Sequence, residues 1–226
     1  MTDSSNTRAT SRRAGLAYLV IILFSTAGYM MLTRLLDGDS HRVLASLAAN
    51  RILFTLAFLA SVIGFAAWVV LGILLYRLMS SAGRIAGLLM LIFVVAGVAM
   101  NLIALSMLLP LFRSASPGMD ASTLTPIVHG YRRLLQLAQV FSALWLFPFG
   151  WLVLRSRLAP RLLGFCLIVG GFSYLSYFAT AFEPGLDQMM IYRIASTATG
   201  IVSIIGELGM CLWLLLKGAG AVDLAR

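Results

Sequence analysis

The stretch from Ile85 to Met100 reads IAGLLMLIFVVAGVAM and contains no charged side chain. It belongs to an apolar run that continues to Phe112, whereas a helix needs about 20 mostly apolar residues to cross a bilayer core. Five further runs meet that length: Ala14–Leu35, Ile52–Leu75, Leu134–Leu154, Leu162–Phe182 and Ile194–Leu216. The runs are continuous rather than alternating, unlike those of a membrane barrel. The sequence therefore predicts an all-α, polytopic membrane protein, a bundle of six transmembrane helices whose long third member is tilted or has an exposed end.

The composition supports the same fold class. Of 226 residues, 61% are hydrophobic and 11% are charged, against about 45–50% and about 25% in soluble domains. Residues 14–217 are expected to form one transmembrane domain between two cytoplasmic tails, 1–13 and 218–226. The net charge is +9, and the basic residues lie almost wholly between the apolar runs or at their ends. We therefore expect anionic lipid head groups, and no nucleic acid, as partners.

The positions of the basic residues predict the orientation, because cytoplasmic loops carry the excess of Lys and Arg. If the N-terminus lies inside, ten basic residues fall on the cytoplasmic side and seven fall outside. The two inner loops, near residues 77–84 and 155–161, are short and contain no acidic residue. The sequence therefore predicts an N-in/C-in protein of the bacterial cytoplasmic (inner) membrane.

The first run has an alternative interpretation. Arg12 and Arg13, the apolar residues 16–24 and the small residues 25–27 resemble a secretory signal peptide with its cleavage site. The apolar run continues past that site to Leu32, however. This continuation favours a retained membrane helix over a cleaved signal.

Glu207 is a residue that lipid contact alone does not predict. It lies ten residues before Lys217, so at a rise of about 1.5 Å per residue it is about 15 Å from the inner boundary. That is near the middle of a hydrocarbon layer about 30 Å thick. An ionisable group there costs roughly 2.5–3.5 kcal/mol and marks a functional site by default. We expect Glu207 either to be protonated, because desolvation disfavours its charged form, or to open onto a wet cavity.

Small and polar side chains accompany Glu207. Those that recur with it at steps of three and four residues are Ser196, Gly200, Ser203 and Met210. With polar residues of the third and fourth runs, they predict a candidate intramembrane site at Glu207, Asn101, Ser203 and Gln139. Such a site either serves a proton, an ion or a ligand, or joins helices by hydrogen bonds. Pro148 lacks an N–H group and predicts a kink in the fourth run.

A second candidate site lies in the predicted outer loops. Its members are His41, His129, Arg132 and Glu183. Histidine can bind metal or move protons, but two distant histidines without metal-site spacing favour solvated loop residues. We therefore predict a polar outer-face cluster without a metal. The sequence contains no HExxH, GxSxG, Walker A or CxxC motif, so no cofactor is predicted.

Several segments carry a family resemblance, most of them in the C-terminal half. They are Trp145-Leu-Phe-Pro-Phe-Gly150, Arg155-Ser156, Leu158-Ala-Pro-Arg-Leu-Leu-Gly164, Gly206-Glu207, Leu212-Trp213-Leu-Leu-Leu-Lys217-Gly218, Arg13-Ala-Gly-Leu-Ala-Tyr-Leu, Ala48-Ala-Asn-Arg51 and His129-Gly-Tyr131. On these residues the chain resembles the bacterial membrane family known as domain of unknown function 4386. The resemblance implies a six-helix bundle of this length and assigns no catalytic or binding residue.

The leading functional hypothesis is a non-enzymatic bundle that binds or passes a small molecule, or that serves as a subunit beside a membrane partner or a second copy of itself. One alternative is a membrane-embedded enzyme that acts on a lipid-soluble substrate through Glu207 or the outer histidines. Another is a small proton-coupled transporter, in which an acidic residue near the midplane is expected. A cavity that reaches Glu207 would favour binding or chemistry over a purely structural role.

Overall fold

A computed structural model describes residues 2–113 and 121–217, and this part of the chain is almost wholly helical without a strand. The helices are α1 (Thr2–Leu35), α2 (Ser40–Ala49), α3 (Arg51–Met79), α4 (Arg84–Ser106), α5 (Leu109–Arg113), α6 (Ala121–Leu144), α7 (Leu146–Ser156), α8 (Arg161–Ala179) and α9 (Met190–Leu216). A short 3-10 turn covers Pro184–Gln188.

Six spans are long and apolar enough to cross a membrane. They are Thr7–Leu35, Arg51–Met79, Arg84–Ser106, Ser122–Ser156, Arg161–Ala179 and Met190–Leu216. Helices α6 and α7 together make the fourth of these spans. The predicted all-α class and the count of six candidate transmembrane helices are confirmed.

Several element bounds differ from the predicted runs, and α1, which begins at Thr2 rather than Ala14, extends through most of the predicted N-terminal tail. The third run, Ile85–Phe112, is not one helix, because α4 ends at Ser106 and α5 begins at Leu109. Pro110 has no N–H group to donate to the carbonyl of Ser106, which explains the end of α4. The fourth helix begins at Ala121 rather than Leu134. The apolar criterion excluded its first turns because they contain polar residues, although the backbone is already helical there.

The fourth span is interrupted at the predicted proline kink. Helix α6 ends at Leu144 and α7 begins at Leu146, with Trp145 between them. Pro148 cannot donate a hydrogen bond to the carbonyl of Leu144, so the ladder is broken at that point. The Trp145 ring packs 5.3 Å from the ring of Phe149 and 5.8 Å from that of Trp68.

The spans pack through close contacts between small residues. Helix α1 has its most extensive interface with α3, where Gly28 lies against Ser61 and Gly64 lies against Ser25. Such positions let two backbones approach, which is how helices associate where lipid removes the hydrophobic driving force. The outward side chains are large and apolar: Ile52 is 78% exposed and Ile191 is 80% exposed. A surface of this kind suits contact with lipid.

The first and last spans meet near the start of α1 and the end of α9. The Sγ of Cys211 in α9 donates to the carbonyl oxygen of Gly15 in α1 at 3.6 Å. We call this end of the bundle the terminal end, and we call the opposite one, which carries α2, α5 and the 3-10 turn, the far end.

Candidate functional site

The carboxyl group of Glu207 is held by three hydroxyl groups from three helices. Its Oε1 accepts from Tyr174 of α8 at 2.9 Å and from Ser203 of α9 at 2.9 Å. Its Oε2 accepts from Tyr18 of α1 at 3.3 Å. Tyr18 is 1% exposed, and Glu207 itself is partly buried. This hydroxyl triad, Tyr18, Tyr174 and Ser203, ties the first span to the last two.

The partners of Glu207 are hydrogen-bond donors and carry no positive charge. An ionised carboxylate only accepts hydrogen bonds, whereas a protonated carboxyl also has a hydrogen to donate. Each contact places a hydroxyl group beside a carboxyl oxygen, an arrangement that would stabilise the ionised form. The carboxyl oxygens therefore have hydrogen-bond partners, and the triad contains no cation that would balance a negative charge on Glu207.

A cavity of about 520 Å³ lies between the six spans in the half nearer the far end. The residues that line it come from all six spans and are Ser25, Thr26, Tyr29, Ser61, Phe65, Asn101, Leu105, Tyr131, Leu135, Gln139, Ser173, Tyr174, Tyr177, Ser196 and Gly200. These lining residues of the described chain include no Lys, Arg, His, Asp or Glu. The wall therefore combines aromatic rings with neutral hydrogen-bonding groups.

Tyr174 connects the cavity to Glu207. Its side chain lines the cavity, and its hydroxyl donates to the carboxylate. Glu207 does not itself line the cavity, so it does not open directly onto this space. Its contact with the cavity runs through the side chain of Tyr174.

Two amides give the cavity wall its strongest polar groups. Asn101 is buried and donates one N–H to the carbonyl of Gly97 at 2.8 Å. Its amide oxygen and its second N–H are left for other partners. Gln139 makes no hydrogen bond to any other residue that the structure describes. Because both side chains line the cavity, these groups are free to bind water or a ligand there.

The structure brings the four predicted intramembrane residues together in two pairs. Glu207 and Ser203 form one hydrogen-bonded pair, and Asn101 and Gln139 share the cavity wall. Sequence reasoning missed Tyr18 and Tyr174. Both donate hydrogen bonds to Glu207, and Tyr174 also lines the cavity with Asn101 and Gln139. A signal was available, because a tyrosine well inside an apolar run needs a partner for its hydroxyl.

The predicted outer-face residues are only partly brought together. His129 and Arg132 line a small recess of about 50 Å³ at the far end. The Arg132 guanidinium donates to the carbonyl oxygen of Leu36, which anchors the end of α1. His41 and Glu183 are exposed and do not line this recess. Within residues 2–113 and 121–217, no three His, Cys, Asp or Glu side chains group as a metal site.

The six apolar spans define a multi-pass membrane protein, and we call Glu207, its hydroxyl triad and the adjacent cavity together the polar centre. The chain belongs to the family described as Domain of unknown function (DUF4386), which matches residues 13–218. A protein of Archaeoglobus fulgidus, described as "Uncharacterized protein", is 25% identical over 116 residues, or 50% of this chain. The chain covers 65% of that relative's length. No solved structure matches the chain.

Three of the segments that carry the family resemblance, 145–150, 158–164 and 212–218, pack on one another near the terminal end. A Cβ atom on Gly150 of α7 would lie 2.6 Å from the carbonyl oxygen of Gly164 in α8. The indole of Trp213 in α9 donates to the carbonyl of Leu158 at 2.8 Å. These segments therefore hold α7, α8 and α9 together, and Glu207 belongs both to them and to the polar centre.

Proposed function

We propose that this membrane protein binds a small amphipathic molecule in the cavity between its six spans. The observation that carries the proposal is the wall itself, in which the amides of Asn101 and Gln139 face a space of about 520 Å³. Ligand pockets have volumes of about 300–1,000 Å³ and combine apolar walls with a few placed polar groups.

The wall chemistry indicates the kind of molecule. Tyrosine rings and Phe65 offer apolar contact, while the amides and serine hydroxyls offer hydrogen bonds of both senses. A ligand that leaves the amides unpaired would lose their hydrogen bonds to water, so the ligand presents polar groups toward Asn101 and Gln139. The remaining surface of the ligand is apolar, because the ligand reaches the cavity from the bilayer or through a largely apolar bundle.

The test uses Gly200, which lines the cavity and would have no atom within 4 Å of an added Cβ. Gly200→Phe starts its side chain in open space, and its ring is expected to occupy the cavity. Ile204→Phe is the matched control, because Ile204 lies on the same helix and is 58% exposed on the lipid-facing surface. Mass spectrometry of molecules that copurify with each protein provides the measurement.

We expect one small molecule to copurify with the wild-type protein and with Ile204→Phe, and to be lost from Gly200→Phe. Bulk lipid alone in all three preparations contradicts the proposal. A bound molecule that persists in Gly200→Phe also contradicts it, because the ligand would then occupy another place.

We also propose that the terminal end faces the cytoplasm of a bacterium and contacts anionic lipid. Support comes from the basic side chains there: Arg155 lies over the Trp151 ring at 5.0 Å, and Lys217 over the Trp213 ring at 4.7 Å. Interfacial aromatic and basic residues together suit the head-group level.

Single-cysteine labelling tests this orientation in a variant whose two native cysteines, Cys166 and Cys211, are replaced by serine. An impermeant thiol reagent added to intact cells should label Ser122→Cys at the far end and spare Ser81→Cys at the terminal end. The reverse pattern would show the opposite orientation.

The alternatives of a membrane-embedded enzyme and of a proton-coupled transporter stay predictions. The contact from the cavity through Tyr174 to Glu207 favours the transporter as the second candidate, because it joins a ligand site to an acidic group. Proton-driven uptake into proteoliposomes that Glu207→Gln abolishes, while ligand binding survives, would distinguish transport from binding alone.

A further inference from the structure

The carboxyl group of Glu207 lies just behind the cavity wall, and its hydroxyl triad contains no cation to balance a negative charge. Its three contacts are with the hydroxyls of Tyr18, Tyr174 and Ser203, which stabilise the carboxylate without neutralising it. A buried charge of this kind is normally paired. The cavity is the adjacent space that could hold a partner, since Tyr174 belongs to both.

The wall between this charge and the cavity suits a cation. Tyr29, Tyr131, Tyr174 and Tyr177 all line the space, together with Phe65. Aromatic rings attract cations through the negative potential of their faces, most strongly where water is excluded. The Tyr174 hydroxyl donates to a carboxylate, which polarises the phenol and makes its ring a better partner for positive charge.

The wall residues that the structure describes carry no positive charge themselves. None of the cavity-lining residues in the described chain is basic. Arg132, next to Tyr131, is the nearest arginine in sequence to a lining residue. Its guanidinium donates to the carbonyl of Leu36 and keeps its positive charge, which acts on Tyr177, so the cation site lies on the Tyr174 side of the cavity.

We propose that the molecule bound in the cavity is a lipophilic cation, such as an alkyl- or arylammonium compound. Its ammonium group lies among the tyrosine rings above Tyr174, and Glu207 supplies the balancing charge. This inference rests on the proposed binding function and specifies the class of ligand. Asn101 and Gln139 contribute hydrogen bonds that orient the molecule but do not select its charge.

The experiment compares two probes of one shape, benzyltrimethylammonium and its neutral carbon isostere neopentylbenzene. Binding to the full-length protein in lipid nanodiscs is measured by equilibrium dialysis, with empty nanodiscs as the background. Four variants accompany the wild type: Glu207→Gln, Tyr174→Phe, Gly200→Phe and the lipid-facing control Ile204→Phe.

We expect the wild type and Ile204→Phe to bind the ammonium compound about tenfold or more tightly than its isostere. Glu207→Gln should remove that preference while still binding neopentylbenzene. Tyr174→Phe keeps the ring and the charge but removes the contact between them, and its preference should be intermediate. Gly200→Phe should bind neither probe, because the space is filled.

Two outcomes overturn the inference, and a third overturns the proposed function as well. The inference fails if the ammonium compound binds wild type no better than its isostere does, or if Glu207→Gln preserves the preference. In both cases, loss of binding in Gly200→Phe would leave the cavity as a ligand site for neutral molecules. If Gly200→Phe retains the binding of both probes, the cavity is not the site and both proposals fail.

Discussion

Removal of the Tyr174 hydroxyl is expected to weaken the fold by about 1.5 kcal/mol. In Tyr174→Phe the ring and its packing remain, and only the hydrogen bond of 2.9 Å to Glu207 is lost. A hydrogen bond to a charged group contributes about 1.5–3 kcal/mol in soluble proteins. Side-chain bonds between membrane helices average about 0.6 kcal/mol, with a maximum of about 1.7.

The contacts of Glu207 decide which of these two energy ranges applies to the Tyr174 hydrogen bond. The acceptor is a carboxylate, which favours the larger figure, but Glu207 keeps two other donors and is not left unsatisfied. The expected cost therefore lies near the top of the membrane range. Tyr18→Phe removes a contact of 3.3 Å and should cost less, about 0.5 kcal/mol.

Unfolding in mixed micelles of dodecyl maltoside and sodium dodecyl sulfate, followed by tryptophan fluorescence, measures both changes. Trp145 reports on this region, because its ring lies 6.3 Å from that of Tyr18. Tyr76→Phe serves as the control, since the Tyr76 hydroxyl makes no hydrogen bond to another residue of the described chain. Its effect should stay within about 0.5 kcal/mol.

A double-mutant cycle with Glu207→Gln completes the test. The two single changes should not be additive, and the coupling should be at least about 0.5 kcal/mol, because Tyr174→Phe removes the bond and Glu207→Gln removes the charge that strengthens it. If Tyr174→Phe is no more destabilising than Tyr76→Phe, the carboxylate does not depend on the hydroxyl triad. The charge assigned to Glu207 would then lose its structural basis.

Three further predictions concern packing and the backbone, and each is measured by the same unfolding assay. Gly170→Ala should destabilise by about 1–3 kcal/mol, because the new Cβ would lie 2.6 Å from the Oγ of Ser203 and 2.8 Å from its Cα. The matched control Gly200→Ala should instead stabilise the protein by up to about 1 kcal/mol, since its Cβ meets open space and alanine favours a helix. Equal effects of the two changes would contradict the close approach of α8 to α9. Arg157→Gly should stabilise by about 1 kcal/mol, because Arg157 has φ 53° in the left-handed region, and a loss of stability would argue against that conformation. Arg132→Met should cost about 1 kcal/mol through loss of the bond to the Leu36 carbonyl, whereas an unchanged midpoint would show that water replaces it.

The sequence by itself was enough to predict the spans, because the cost of exposing backbone and polar groups to lipid requires continuous apolar helices of a definite length. It also singled out Glu207, since an ionisable group in such a run has no local explanation. Pro148 marked the break between α6 and α7 because the missing N–H group is a property of the residue. These features depend on one segment at a time.

The polar centre was decided only by the tertiary structure. Tyr18 and Glu207 are 189 positions apart, and no periodicity within either helix indicates that their side chains meet. The cavity likewise needs residues from all six spans at one depth. Which faces meet depends on the close approach of glycines and serines, such as Gly28 against Ser61, and on the direction of each helix in the bundle. Apolar patterning is nearly uniform around a lipid-facing helix, so it leaves that choice to packing.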